Sequence, residues 1–208
     1  VAADWWGGTT LTVGAITGVA GIAFAIGQKD IKRILAYSSI ENIGIIMMGI
    51  GLALLGRSHN QPSWIVLGLG GALLHVWNHG LFKSLLFFNA GAVIHAAHTR
   101  DIEHMGGLAK RMPRTTTLFV LGAVAICALP PLNGFASEWL IYSGLFESLG
   151  LGGGKAFPVA TVAAVPLAMI GALAVACFHG LWERCSWEIA AASPAAMRRT
   201  PRRACSCR

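Results

Sequence analysis

One run of twenty residues, TTLTVGAITGVAGIAFAIGQ at positions 9–28, carries no charge at all. About 20 predominantly apolar residues in helical form cross the hydrocarbon core of a bilayer. Inside lipid every backbone N–H and C=O has to be satisfied within the protein, which a helix achieves by itself. Four more stretches of similar character follow, at 34–56, 63–98, 115–146 and 156–182. Only 12% of the 208 residues are charged, against roughly a quarter in soluble domains. The predicted fold is all-α, a polytopic transmembrane helical bundle with about five spans, and the lipid bilayer is its first partner.

Charge placement tests the count of spans. The net charge is +7, and the segment 183–208 holds six arginines (Arg184, Arg198, Arg199, Arg202, Arg203, Arg208) against Glu183 and Glu188. With five spans, Lys29, Lys32, Arg33, Arg100, Lys110, Arg111 and Arg114 share a side with that tail, and only Arg57 and Lys155 lie opposite. Positive residues concentrate on the cytoplasmic side, so the 29–33 and 99–114 loops are predicted cytoplasmic. The basic tail alone would suit nucleic acid, but nothing in the preceding 182 residues resembles a soluble nucleic-acid module, and no nucleic-acid partner is expected. Cys127 and Cys177 lie in apolar segments, while Cys185, Cys205 and Cys207 lack the paired spacing of a zinc site. No metal or cofactor site is predicted in this chain.

The fourth apolar stretch is interrupted by LPPLNGF. Pro130 and Pro131 bring no N–H, so helical carbonyls lose partners there, and Gly134 follows at the restart. A break at membrane depth persists only where protein or water satisfies the freed groups. One helix break near Pro130-Pro131 is therefore expected, either as a kink in a packed helix or as part of a pathway. Glu138 lies just beyond it.

The third stretch contains LLHVWNHGLFKSLLF, residues 73–87, in which His75, His79 and Lys83 recur every four residues. At about 100° per residue, steps of four drift by only ~40°, so all three fall on one helix face over about 12 Å. An ionisable group at that depth is costly unless it faces the bundle interior or water. Metal binding and a proton relay both fit two histidines at this spacing. Lys83 would repel a cation, and neither Glu41 nor Asp101 obviously shares the face, so the relay is favoured; His titrates near neutrality. Glu41 and Glu138 are the carboxylates inside predicted spans, Glu138 the stronger pathway candidate and Glu41 an accessory one. Lys32 and Arg33 read first as interfacial anchors. No catalytic residue in the covalent sense is assigned.

Four motifs in order, KDIKRILAYSSIENIGII, HVWNHGLFKSLLFFNAGAVIH, RDIEHMGGLAKRMP and LPPLNGFASEWL, resemble the antiporter-like membrane subunits of respiratory complex I, Mrp-type sodium/proton antiporters and energy-converting hydrogenases. The wording is most similar to the large membrane subunits of hydrogenase-4 and formate hydrogenlyase. The resemblance implies a proton pathway through Lys32, His75, His79, Lys83 and Glu138, in a multi-pass protein of the bacterial inner (plasma) membrane. It also implies partner subunits, both membrane-embedded and peripheral, the latter holding nickel–iron and iron–sulfur centres, with protons (or Na+) as the transported ion. Residues 1–182 are read as the C-terminal half of such a domain, without the upstream broken helix and its Lys/Glu pair. The segment 183–208 departs from the pattern and reads as a disordered or frame-shifted basic tail. The alternatives are an Mrp-type sodium/proton antiporter subunit and an inactive truncated remnant.

Overall fold

A computed structural model describes residues 4–105, 107–150 and 156–186. Within these residues seven α-helices follow one another: α1 (Asp4–Ile26), α2 (Ile31–Ser58), α3 (Pro62–Ala97), the short α4 (Leu108–Arg111), α5 (Pro113–Ile126), α6 (Asn133–Gly150) and α7 (Ala156–Ser186). A single 3₁₀ turn, Ile102–His104, precedes α4, and no strand occurs among the described residues. Proline opens α3 and α5 at their first turns, where its missing N–H costs nothing. Asp30 caps α2, its Oδ1 accepting from the N–H groups of Lys32 at 2.8 Å and Arg33 at 3.3 Å.

Among the described residues, four segments are long and apolar enough to cross a bilayer: Trp5–Ile26, Ile31–Ser58, Pro62–Ala97 and Ala163–Arg184. The fourth stretch of the sequence is divided between α5, of 14 residues, and α6, of 18. At 1.5 Å per residue these reach roughly 21 and 27 Å, each short of a ~30 Å hydrocarbon core. The chain between them turns at Ala128, which has φ 50°, and passes through a cis Pro130–Pro131 peptide. Leu129 N–H bonds Val124 O at 3.3 Å and Leu132 N–H bonds Leu129 O at 3.1 Å, so part of the freed backbone is satisfied locally. Gly134 is required at the restart: a Cβ there would collide with the Ala125 carbonyl, so only glycine lets α6 begin against the last turn of α5.

Two apolar clusters divide the interior. One gathers Ile22, Ile34, Leu35, Phe82, Leu86, Phe119 and Phe178; the other gathers Leu11, Met48, Leu52, Trp64, Ile141, Leu145 and Leu167. Along α2, α3 and α6 the residues between these clusters are polar and buried: Ser38, Glu41 and Asn42, then His75 and Asn78, then Ser137 and Glu138. Beside this layer α1 carries Gly14, Gly18 and Gly21. A Cβ on Gly44 of α2 would stand 2.6 Å from Gly14 O, so the α1 and α2 backbones touch. Small residues permit such approach in membrane bundles, where helix association rests on close packing.

The loops before α2 and after α3 are latched together at one end of the bundle. Ile31 N–H donates to Arg100 O at 3.1 Å, Ile102 N–H donates to Lys29 O at 2.9 Å, and Lys29 Nζ meets Glu103 Oε1 at 2.8 Å. The 29–33 and 99–105 segments therefore meet at the same end of the bundle.

α7 runs past residue 182, continuing through His179 to Ser186. Cys177, Phe178 and Leu181 carry the buried face of Ala174 onward at helical spacing. Residues 187–208, most of the predicted basic tail, lie outside the described residues.

Candidate functional site

The polar layer is a continuous hydrogen-bonded line across three helices. Lys83 Nζ donates to Ser38 Oγ at 2.6 Å and to Leu35 O at 2.8 Å. Ser38 O accepts from Asn42 Nδ2 at 2.7 Å, and Asn42 Oδ1 stands 3.0 Å from His75 Nε2. The other ring nitrogen of His75 lies 2.9 Å from Ser137 Oγ. Asn78 Nδ2 donates to Ser137 Oγ at 3.2 Å and to Asn133 O at 2.8 Å, and Asn133 Nδ2 returns a bond to Asn78 Oδ1 at 3.2 Å. The line thus runs from Lys83 on α3, through α2, back to His75 and on to the first turn of α6 after the break.

Burial makes these bonds matter. His75 and Asn42 are each 1% exposed and Lys83 is 6% exposed, so a lost partner would leave a polar group unsatisfied away from water. Lys83 does not snorkel; its head group turns inward to α2. Neither Asp nor Glu lies within ion-pair distance of it among the described residues. An ammonium has three hydrogens and this pocket offers two acceptors, so Lys83 is held without being neutralised by a contacting carboxylate.

The three residues of the recurring stripe differ in placement. The buried face of α3 runs through Gly68, Gly71 and Ala72, His75, Asn78, Phe82 and Lys83, Leu86 and Asn89, single residues or adjacent pairs spaced three or four apart. Steps of four alone drift off that face, and His79 accordingly stands half-buried at its edge, its ring 5.6 Å from Phe82 and edge-on to it. His79 Nε2 is enclosed without a protein partner. Glu41, one turn beyond Ser38 on α2, is 1% exposed with Oε2 unpartnered, and the ionisable groups acting on it are Lys83 and Glu138. Glu138 is buried next to Ser137. Lys32 and Arg33 are exposed at the start of α2, outside the buried line.

Sequence reasoning singled out the ionisable members and passed over Ser38, Asn42, Asn78, Asn133 and Ser137. Their signal was present: each is an uncharged polar residue within a predicted span, and in lipid such groups pair across helices. No cluster of metal-ligating side chains occurs among the described residues.

A multi-pass helical membrane protein with a buried polar line beside a broken helix is the class these features define. The chain belongs to the family described as NADH:quinone oxidoreductase/Mrp antiporter, TM, whose profile matches residues 1–163. Among curated relatives, it is 49% identical to hydrogenase-4 component B of Escherichia coli K12 over 175 residues, 84% of this chain and 26% of that one. It is 46% identical to formate hydrogenlyase subunit 3 of the same organism over 173 residues, 83% of this chain and 28% of that one. The chain therefore spans about a quarter of the length of these relatives. Among solved structures, the Mrp complex of Dietzia sp. DQ12-45-1b aligns with a TM-score of 0.69 at 22% identity, covering 89% of this chain and 30% of that one, a likeness of fold. The archaeal membrane-bound sulfane sulfur reductase aligns with a TM-score of 0.65 at 25% identity, over 87% of this chain and 33% of that one.

Proposed function

We propose that this chain is a proton-translocating part of the membrane arm of a redox-driven complex of the hydrogenase-4 or formate hydrogenlyase type. The observation that carries the reading is the hydrogen-bonded line from Lys83 to Asn133, enclosed between two apolar clusters where a bilayer would be driest. Ionisable groups at that depth are expensive and are retained where charge moves. In this reading Lys83, His79, His75 and Glu138 exchange the proton, with Glu41 as an accessory acceptor beside Lys83. Lys32 serves at the surface end of α2. Electron transfer is assigned to partner subunits carrying nickel–iron and iron–sulfur centres, and the protein to the bacterial inner membrane with the latched 29–33 and 99–114 loops cytoplasmic.

The test is Lys83→Ala in the intact complex, read as redox-driven acidification of inverted membrane vesicles. Loss of acidification with the complex still assembled is the expected result. Undiminished acidification would remove Lys83 from the path. Sodium-dependent proton exchange without any redox substrate would instead mark the Mrp-type antiporter function.

A further inference from the structure

His75 has two ring nitrogens, and its surroundings treat them differently. Asn42 Nδ2 is committed to Ser38 O at 2.7 Å, so the atom Asn42 turns to His75 Nε2 is its oxygen. An amide oxygen only accepts, and Nε2 therefore holds a hydrogen in every state that keeps this bond. Ser137 Oγ on the other side has one hydrogen and three neighbours. Asn78 Nδ2 at 3.2 Å only donates, Gly134 O at 2.9 Å only accepts, and His75 Nδ1 at 2.9 Å does either. Asn78 is itself locked by its two bonds with Asn133.

We infer that Asn42 and Ser137 make His75 a one-ported proton carrier, exchanging only through Nδ1 toward the helix break, with the Ser137 hydroxyl as the rotor that follows its charge. This rests on the proton-conducting reading. With Nδ1 bare, the Ser137 hydrogen turns to it and leaves Gly134 O. When the transported proton binds Nδ1, the new N–H donates to Ser137 Oγ, and the hydroxyl hydrogen swings back to Gly134 O. Only N–H formation and a hydroxyl rotation occur, so Ser137 loses no proton and atoms balance. In α-helical register Gly134 O also receives the Glu138 N–H, so the rotor changes the load on the turn that carries Glu138. Asn42, an amide without a labile proton to hand on, separates the Lys83 and Ser38 side from His75. Protons consequently do not pass between Lys83 and His75 through Asn42. The ionisable group that acts on the ring is His79 on α3; Glu41 on α2 and Glu138 on α6 are the chain neighbours of its partners Asn42 and Ser137.

The test reads the hydrogen's position directly, by ¹⁵N-histidine magnetic resonance of the full chain in phospholipid bilayers at a pH where the ring is neutral, with His75→Gln assigning the signal among seven histidines. In the wild type the hydrogen is expected on Nε2. In Asn42→Ala it is expected to move to Nδ1, where Ser137 accepts it, and in Asn42→Asp to stay on Nε2. A wild-type ring protonated at Nδ1 overturns the assignment even if no variant folds, and so does an Asn42→Ala ring still protonated at Nε2. In the intact complex, Ser137→Ala is expected to slow redox-driven proton flux about tenfold, the scale of one hydrogen bond to a charged group, and Ser137→Thr to restore it. Undiminished flux in Ser137→Ala overturns the rotor. If Lys83→Ala leaves flux intact, the proton path fails while the tautomer result stands on its own.

Discussion

Lys83 Nζ lies 2.6 Å from Ser38 Oγ, a bond between α3 and α2 that holds a buried amine level with the apolar cluster around Phe82 and Leu86. Ser38→Ala leaves that nitrogen with the Leu35 carbonyl alone. A hydrogen bond to a charged group is worth about 1.5–3 kcal/mol. Proton flux through the intact complex is therefore expected to fall by one to two orders of magnitude, on the order of the loss from that bond, while Ser38→Thr stays close to wild type. Vesicle acidification measures both.

Glu41 is enclosed with an unpartnered oxygen, and Lys83 is the cation that acts on it. Glu41→Gln keeps shape and burial but removes the ability to take up a proton. It is expected to leave thermal stability within about 1 kcal/mol of wild type, as a near-isosteric change, and to depress proton flux several-fold. Flux equal to wild type would confine Glu41 to packing.

Gly44 has no room for a side chain, since a Cβ would sit 2.6 Å from Gly14 O. Gly44→Val forces α1 away from α2, beside the polar layer. Overpacking of this kind costs about 1–3 kcal/mol, so the unfolding midpoint in a denaturing detergent titration is expected to fall. Gly80→Ala makes the control, because nothing lies within 4 Å of a Cβ there.

The Lys29–Glu103 pair joins the two latched loops in solvent. The hydrogen bond that Lys29 donates to Glu103, and then the Glu103 charge, raise the Lys29 ammonium above its ordinary 10.5. A group whose folded value is raised stabilises the fold fully below the unfolded value and loses that contribution as pH rises through the folded one. Glu103→Gln is therefore expected to change loop stability at neutral pH only slightly, as exposed pairs do, and to erase the extra alkaline sensitivity of the latch. Amide hydrogen exchange at Ile31 and Ile102 between neutral and strongly alkaline pH would show the difference.

The legibility of this chain follows from what lipid demands. Apolar runs of spanning length, the break at Pro130–Pro131 and the burial of Lys83 were readable because a bilayer punishes unsatisfied backbone and unpaired charge wherever they occur along the chain. The D-I-K-R stretch was harder to place, since the same residues serve a pathway, an anchor or a cap; Asp30 turns out to cap α2 and Lys29 to latch the loops, while Lys32 stands exposed.

By itself, then, the order of residues determined the all-helical membrane class, the site of the helix break and which ionisable groups lie within the bundle. Only the tertiary structure decided that His75 faces Asn42 and Ser137, that Lys83 turns toward Ser38, and that His79 stands at the edge of the buried face. Helix periodicity specifies a direction around one axis, but a hydrogen bond between His75 and Ser137 joins positions 62 residues apart. That distance closes where Gly134 lets α6 restart against α5 and Gly71 lets α3 pack against Ile141 of α6, so the alignment of the polar line is a property of packing between helices.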